Sequence, residues 1–356
     1  MKRLLIIDPF GIGDVLFTTP VIKAVKDVYP DNYIGYWCNE RVADILKNNP
    51  AINRVFAFSR GDLKKLYQQS HLEAIKKFFS LVSAIRKDRF HVCIDFSLDH
   101  RYSLICKLLG IKKRIGFNYK KRGRFLTDKI GIDGYKGKHV VEYYLDLLKF
   151  IGIKAKDKDL CLSVPRENKA KAQIKLSRLG AKQGDLLIGI APGGGASWGK
   201  QASFKHWSAL KYAQLADKII SEFKAKVVIL GDDSEIPIGD IITSAMKNKA
   251  IDLTGKTTLE ELTAIISQPD ILITNDGGPL HIAVALGKKT VSIFGPVDEL
   301  VYGPYPAGKN HRVIKKDLSC RPCYNNFRFQ ECSREVRECI NNISVEDVLI
   351  EVRSLL

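Results

Sequence analysis

The segment Ile271-Leu272-Ile273-Thr274-Asn275-Asp276-Gly277-Gly278-Pro279-Leu280-His281 runs from an apolar stretch through two glycines into a second apolar stretch at 282–286. Its pattern predicts a buried strand, a tight turn and a helix. The paired glycines let the backbone come close to a ligand. Pro279 suits the first helical position, where its missing N–H costs nothing. The helix start then offers unsatisfied N–H groups and a partial positive charge, which together make an anion site. Asp276 and His281 flank that site with groups able to hold a sugar hydroxyl and a phosphate. The plainer alternative is a capping aspartate followed by an ordinary first-turn histidine.

The same strand–turn–helix unit recurs on both sides of this segment. Apolar runs predict strands at 3–7, 33–38, 55–58 and 92–96, alternating with helices at 14–28, 41–47, 72–85, 102–109 and 140–151. Residues 152–183 are polar and lysine-rich, a linker with a lead-in helix near 173–178. The alternation then restarts, with strands at 186–191, 226–230, 271–274 and 290–294 and helices at 207–223, 235–247, 259–267 and 279–286. Such alternation implies parallel sheets with helices on both faces. The expected architecture is α/β: two Rossmann-like domains, 1–165 and 166–356, facing each other across a deep cleft. Such halves bind ligands at the carboxyl ends of their strands. The last stretch, 345–356, reads as an amphipathic helix able to pack on either domain, the N-terminal one included.

The 356 residues suffice for two domains of ordinary size, and the 45% apolar content suits sizeable cores. No run approaches the roughly 18 apolar residues that span a bilayer. The apolar run after Met1-Lys2-Arg3 stops at Asp8, too short for a signal-peptide core, so a cytoplasmic protein is expected. The net charge of +18 is uneven: residues 1–160 hold 31 Lys and Arg against 17 Asp and Glu, the remainder 26 against 22. Basic clusters sit at Lys112-Lys113-Arg114, Lys120-Lys121-Arg122 with Arg124, Arg60 with Lys64-Lys65, Lys76-Lys77, and Arg86-Lys87 with Arg89. Nucleic acid, anionic lipid and an acidic glycolipid all fit such a surface. Nucleic acid is disfavoured, because the clusters lack interleaved aromatics and no binding motif appears.

Of eight cysteines, Cys38, Cys93, Cys106 and Cys161 fall in or near apolar runs and read as small core residues. Cys320, Cys323, Cys332 and Cys339 cluster late. Cys320-Arg321-Pro322-Cys323 has the spacing of half a zinc knuckle, but the later gaps of eight and six residues are no standard second half. A structural metal, a disulfide staple and free thiols all remain open. The cluster is expected away from the ligand site.

Four further turns aim at the same sheet edges. Asp8-Pro9-Phe10-Gly11-Ile12-Gly13-Asp14 has two glycines but Leu16 where a dinucleotide fingerprint needs a third, which disfavours a nicotinamide enzyme. Asp14 opens a helix there, either as its cap or as a general base toward an acceptor hydroxyl. Pro192-Gly193-Gly194-Gly195 follows a buried strand, where glycine is costly unless the backbone must approach something. Its N–H groups make a candidate phosphate nest, with Lys200 and Lys205 both in reach of a diphosphate. Gly231-Asp232-Asp233-Ser234-Glu235 puts acids past a strand end, where ribose hydroxyls are held. Thr254-Gly255-Lys256-Thr257 is a fourth turn on that edge. Asp157-Lys158-Asp159 resembles a metal-binding acid pair but reads as solvated.

In combination and order, these turns resemble glycosyltransferase family 9, the ADP-heptose:lipopolysaccharide heptosyltransferases. The matching pieces are Gly11-Ile12-Gly13-Asp14 with Thr18-Thr19-Pro20, Pro192-Gly193-Gly194-Gly195 with Lys205-His206-Trp207, Asp252-Leu253-Thr254-Gly255, Asn275 to His281, and Phe294-Gly295-Pro296. The resemblance covers almost the whole chain. It implies a GT-B fold and an inverting, metal-independent transfer of heptose from ADP-heptose to the lipopolysaccharide inner core, an anionic glycolipid, at the inner face of the cytoplasmic membrane. No cofactor is implied. Asp14 would be the base, Lys205 would neutralise the diphosphate and Glu235 would hold the ribose. Gly13, Gly194, Gly195, Thr257, Asp276, Gly277, Gly278 and His281 complete the implied donor site, and Lys120, Arg122 and Arg124 the acceptor side. Gly277 departs from the family, which usually has Ser or Thr there, so a hydroxyl contact to the donor is lost. The alternatives are a GT-B transferase of another nucleotide sugar and a nucleotide-sugar epimerase; the basic N-terminal half speaks mildly against the latter.

Overall fold

Short runs buried on both faces build two parallel sheets, as expected when helices cover each side. The computed structural model describes residues 2–194, 196–334 and 336–356, with the backbone alone for Arg60, Ala196, Ser197 and Lys200. The chain divides into two units, Met1–Asp159 and Leu160–Leu356. In the first, the order is β1 Arg3–Asp8, α1 Ile12–Phe17, α2 Thr19–Val28, β2 Tyr33–Cys38, α3 Ala43–Lys47, β3 Arg54–Ala57, α4 Arg60–Gln69, α5 His71–Lys87, β4 Val92–Asp95, α6 His100–Leu108, β5 Lys113–Tyr119, β6 Asp128–Ile132 and α7 Val140–Asp146. The sheet order is β3-β2-β1-β4-β5-β6, all parallel.

The second unit repeats this plan. It holds α8 Arg166–Arg178, β7 Leu187–Ala191, α9 Ala209–Phe223, β8 Lys226–Ile229, α10 Ile236–Ala245, β9 Ile251–Asp252, α11 Leu259–Ile266, β10 Ile271–Asn275, α12 Gly278–Ala285, β11 Lys289–Ile293, α13 Glu299–Tyr302 and β12 His311–Ile314. Then come a small antiparallel hairpin, β13 Tyr324–Asn325 and β14 Arg328–Phe329, and the helices α14 Glu338–Asn341 and α15 Val345–Leu355. The large sheet runs β12-β11-β10-β7-β8-β9, again parallel. Counted from each unit's first strand, both sheets have the doubly wound order 3-2-1-4-5-6. Winding reverses between β1 and β4 in one and between β7 and β10 in the other, and ligands of such sheets bind there, past the carboxyl ends.

Each unit has its own core. Leu5, Ile7, Trp37, Phe56, Cys93 and Tyr102 pack together in the first. Ile190, Tyr212, Ile219, Ile273 and Ile293 do so in the second. Val348, Leu349, Val352 and Leu355 of α15 belong to that second core, so the C-terminal helix packs within its own unit.

Several expectations are corrected. The predicted helix 14–28 is two helices, broken at Thr18. The Thr18 and Thr19 hydroxyls donate to Val15 O and Leu16 O, and Pro20 restarts the helix without needing an N–H partner. Lys113–Tyr119 and Asp128–Ile132 are strands as well, which the charged residues in and around them conceal in the sequence. The polar stretch Arg60–Gln69 is helical, capped by Ser59. The lead-in helix spans Arg166–Arg178 and begins directly after Pro165. Cys38, Cys93 and Cys106 are core residues, but Cys161 is exposed beside the buried Leu160, because the extended segment there turns alternate residues outward.

Candidate active site

In the second unit, the turns after β7 and β10 meet at the winding reversal. Gly194 takes φ +108°, open to glycine but strained for other residues. A Cβ there would stand 3.4 Å from Asp276 O and from the Gly277 Cα, so the two turns touch. Asn275 ties them together: its Nδ2 donates to Gly193 O (3.2 Å), and its Oδ1 accepts from Trp207 N (3.2 Å) and from the Tyr212 hydroxyl (3.0 Å). In the sequence Asn275 shows no such part. Its signal was a buried polar residue at a strand end, which must find partners.

Lys205 and Asp276 form a buried ion pair beside this junction, Nζ to Oδ2 2.6 Å, with side chains 9% and 6% exposed. The Lys205 ammonium also lies 3.9 Å from the centroid of the Trp198 ring. Asp276 is therefore not the cap of α12. The cap position is Gly277, and no side chain closes that helix start. Gly277 has extended backbone, φ 175°, which any residue can adopt; the missing hydroxyl there is a change of chemistry, not of fold. His281, one turn into α12, is buried, and burial lowers its pKa to about 4 against the pull of Asp276, so it is neutral near pH 7.

Glu235 faces the same edge from the turn after β8. Its Oε1 accepts from Gly194 N and its Oε2 from Asp232 N (3.0 Å). Burial raises its pKa, partly offset by the Gly194 N–H. A Cβ at Gly193 would fall 1.8 Å from Glu235 Oε1, so glycine is required there to admit the carboxylate. His206 Nε2 lies 2.8 Å from Gly194 O. Thr257, before α11, has a buried Oγ1 that makes no hydrogen bond with the described residues. Gly195 and the Lys200 side chain lie outside the described residues; of the two candidate lysines, Lys205 is seen at the junction.

In the first unit, Asp14 lies in the first turn of α1, and its Oδ2 accepts from Gly11 N (3.1 Å). Gly13 lies beside it in α1. Two buried acids stand at the winding reversal nearby. Asp8 ends β1 and is fully buried, with Oδ1 accepting from Phe10 N (3.0 Å). Burial raises its pKa well above the usual range, and the charge of Asp14 adds to this. Asp95 ends β4, and burial lifts its pKa to about 7 against the Ser97 hydrogen bonds. Neither acid was singled out from sequence, because each reads as the last residue of an apolar strand.

Lys120 and Arg122 lie in the turn past β5, on the edge that carries Asp14, exposed around the Tyr119 ring. Lys120 and Lys121 take left-handed backbone, φ 48° and 61°, unusual outside Gly, Asn and Asp. Arg124 packs over Phe125, whose carbonyl accepts from Arg114 Nε, so the chain has already turned back there. The cluster at 112–114 does not share this edge: it sits at the start of β5, and the seven residues of that strand put roughly 20 Å between the two clusters. Asp157 pairs with Lys23 and Lys158 with Glu142, as solvated residues do.

The late cysteines are not remote from the donor-side turns. Cys323 and Cys332 bracket the β13–β14 hairpin, whose Tyr324 and Phe329 rings pack 4.8 Å and 5.5 Å from Trp198. Trp198 in turn lies against Lys205. Burial raises the pKa of Cys339 and Cys323, and the neighbouring cysteines add to it. Among the described residues, no three His, Cys, Asp or Glu side chains converge as they would on a metal ion.

Two doubly wound parallel sheets in tandem, each with its ligand edge at a winding reversal, make the GT-B fold of glycosyltransferases. The solved structure of ADP-heptose lipopolysaccharide heptosyltransferase II from Escherichia coli has this fold, with a TM-score of 0.77, 22% identity and coverage of 100% of this chain and 98% of that one. The chain is 26% identical over 353 residues to lipooligosaccharide heptosyltransferase 2 of Campylobacter jejuni, spanning 98% and 96% of the two. It is 25% identical over 297 residues to lipopolysaccharide heptosyltransferase 3 of Escherichia coli, spanning 82% and 83%. The family model for glycosyltransferase family 9 (heptosyltransferase) matches residues 78–332. The chain belongs to that family and is a glycosyltransferase.

Proposed function

We propose that this chain transfers a heptose from ADP-heptose to the inner core of lipopolysaccharide, with inversion and with no metal ion in the active site. The buried Lys205–Asp276 pair carries the reading, at the strand-switch edge where a nucleotide diphosphate would lie. The names of the relatives, lipopolysaccharide and lipooligosaccharide heptosyltransferases, support the acceptor, and that of the structural neighbour supports ADP-heptose. Asp14 takes the proton of the acceptor hydroxyl, the oxygen attacks the anomeric carbon, and the bond from that carbon to the diphosphate breaks. A single displacement inverts the anomeric centre. The leaving ADP gains negative charge, which Lys205 and the uncapped N–H groups of α12 stabilise. Lys205 would turn from one carboxylate to a diphosphate of higher charge, freeing Asp276 for a sugar hydroxyl. Neutral His281 can give a hydrogen bond there without a charge. Glu235 and Thr257 close the ribose side, and Lys120 and Arg122 meet the anionic acceptor. The enzyme would work at the inner face of the cytoplasmic membrane; among the described residues no helix is long and apolar enough to cross one.

Gly277 favours one second reading, a transferase of a different nucleotide sugar. A thermal-shift panel of ADP, UDP, GDP and NAD, followed by product analysis with the matching sugar donors, separates the two. ADP at 100 times its dissociation constant should stabilise by about 2.7 kcal/mol. Stabilisation by UDP or GDP in its place, with transfer from that donor, would establish the second reading.

A further inference from the structure

Helices α4 and α5 form a hairpin joined through Ser70, whose hydroxyl accepts from Glu73 N and so caps α5. The pair is held to its unit by few side chains. Within α5 only Ala74 and Ile85 are fully buried, and none of the described side chains of α4 is. Phe78 packs on Phe58, and Tyr67 stacks on His71. The outer side of α5 is apolar. Leu72 is 62% exposed, Ile75 47% and Phe79 63%. Their i, i+3, i+7 spacing puts them on one stripe of the helix. Tyr67 of α4, 50% exposed, adds a ring at the end of the hairpin. Single exposed apolar residues are ordinary on a protein surface, but three in register on one helix call for an occupant.

The charges around the stripe say which occupant. Residues 60–87 carry seven Lys and Arg against two Asp and Glu. Lys64, Lys65, Lys76, Lys77, Arg86 and Lys87 are all exposed. Lys76 is paired with Glu73 and Lys77 lies 3.7 Å from Glu40, which leaves the surface strongly positive. An apolar stripe edged by lysine and arginine is the make-up of a helix that lies in the headgroup layer of an anionic membrane. A second copy of the chain is a poor partner, since pairing the stripes would bring two sets of these cations together.

We propose that the outer face of the α4–α5 hairpin docks the protein on an anionic lipid bilayer, with Leu72, Ile75 and Phe79 entering the acyl boundary and the surrounding cations meeting lipid phosphates. The contact is a peripheral one, distinct from the basic turn at Lys120 and Arg122. It rests on the membrane location proposed above and names the surface that makes the contact, independently of the transfer chemistry.

The test uses the full chain. Sedimentation with vesicles of phosphatidylethanolamine and phosphatidylglycerol should carry down the wild type, and vesicles of phosphatidylcholine alone should not. Leu72→Gln/Ile75→Gln/Phe79→Gln should weaken vesicle binding about tenfold or more, because the apolar contribution scales with the area inserted. Lys64→Gln/Lys65→Gln/Arg86→Gln/Lys87→Gln should weaken it at low salt and make it clearly less sensitive to added salt. Phe79→Trp should give a blue-shifted emission with the mixed vesicles only. The stripe is exposed, so ADP-induced thermal stabilisation should be the same in all variants and shows that they are folded. The inference is overturned by unchanged vesicle binding in the Gln triple, by equal binding to both vesicle types, by no binding to either, or by equilibrium sedimentation showing a dimer that the triple abolishes. Transfer to a detergent-dispersed acceptor is read separately. If it proceeds while vesicle binding fails, the docking surface falls and the proposed reaction stands.

Discussion

Lys205 and Asp276 neutralise each other away from water, and such a pair is far more sensitive to losing one partner than to losing both. Lys205→Ala should destabilise by about 3–5 kcal/mol in urea unfolding, and Lys205→Ala/Asp276→Ala should recover much of that loss. Neither variant should regain ADP affinity, whereas adenosine affinity should change little, because only ADP carries the diphosphate; nucleotide titration reads the difference. Asp14→Asn keeps an acceptor for Gly11 N, so the fold and ADP binding should survive while turnover falls about 10²–10⁴-fold. Turnover within a few-fold of wild type would leave Asp14 as a helix cap. Asp95 gives a pH signature. Its pKa rises from an ordinary 3.8 to about 7 in the fold. Between those values the folded chain holds a proton that the unfolded chain has lost, so this group's contribution falls as pH rises through the window. Asp95→Asn keeps the Ser97 contact, and its stability advantage over wild type should grow from about pH 4 to about pH 7, by a few kcal/mol, then level off. At this scale the sequence exposed the polar residues next to glycine turns: Asp14, Lys205, Asp276 and His281. It hid Asp8 and Asp95, which look like strand ends, and Trp198, whose contact with Lys205 exists only once the chain is folded.

Among the elements, the long buried runs were plain, since a strand covered on both faces must be apolar throughout. β5 was not, because Lys113 and Arg114 open it and Lys120 follows it. The short edge strand β12 carries His311 and Arg312 and gives no apolar run. The α1–α2 break was hidden because a Thr-Thr-Pro sequence inside an apolar helical pattern reads as continuous until the hydroxyls are seen to bond back to the preceding turn. The hairpin β13–β14 offered only a cysteine spacing, and its packing on Trp198 is a tertiary fact. That packing makes a prediction. Tyr324→Ala and Phe329→Ala each remove one ring behind Trp198, and aromatic pairs contribute about 0.5–1.5 kcal/mol beyond their burial. Each substitution should therefore weaken ADP binding roughly two- to tenfold, measured by calorimetric titration. Unchanged affinity in both would show that the hairpin does not brace the lysine.

At the scale of the whole molecule, charge separates what the two units do. The excess of cations lies in residues 1–160, while the buried Lys205–Asp276 pair lies in the second unit. Lys120→Glu/Arg122→Glu should raise the acceptor KM strongly and leave donor affinity nearly unchanged, since each such cation near an anionic surface is worth about 1 kcal/mol. Added salt should have the same effect on the wild type, because exposed charges are screened over about 8 Å at physiological ionic strength. An acceptor KM indifferent to both would reduce the turn to a solubility feature. The division of the chain at Asp159 and Leu160 also bears on how the protein is made. All six strands of the first sheet come from one uninterrupted segment, and α15 stays within the second unit. The first sheet needs no later part of the chain to complete its hydrogen bonding. Domains generally fold as units during synthesis, the N-terminal one first. A nascent chain can thus close the first sheet, burying Asp8 and Asp95, while the residues of Lys205 and Asp276 have yet to be translated.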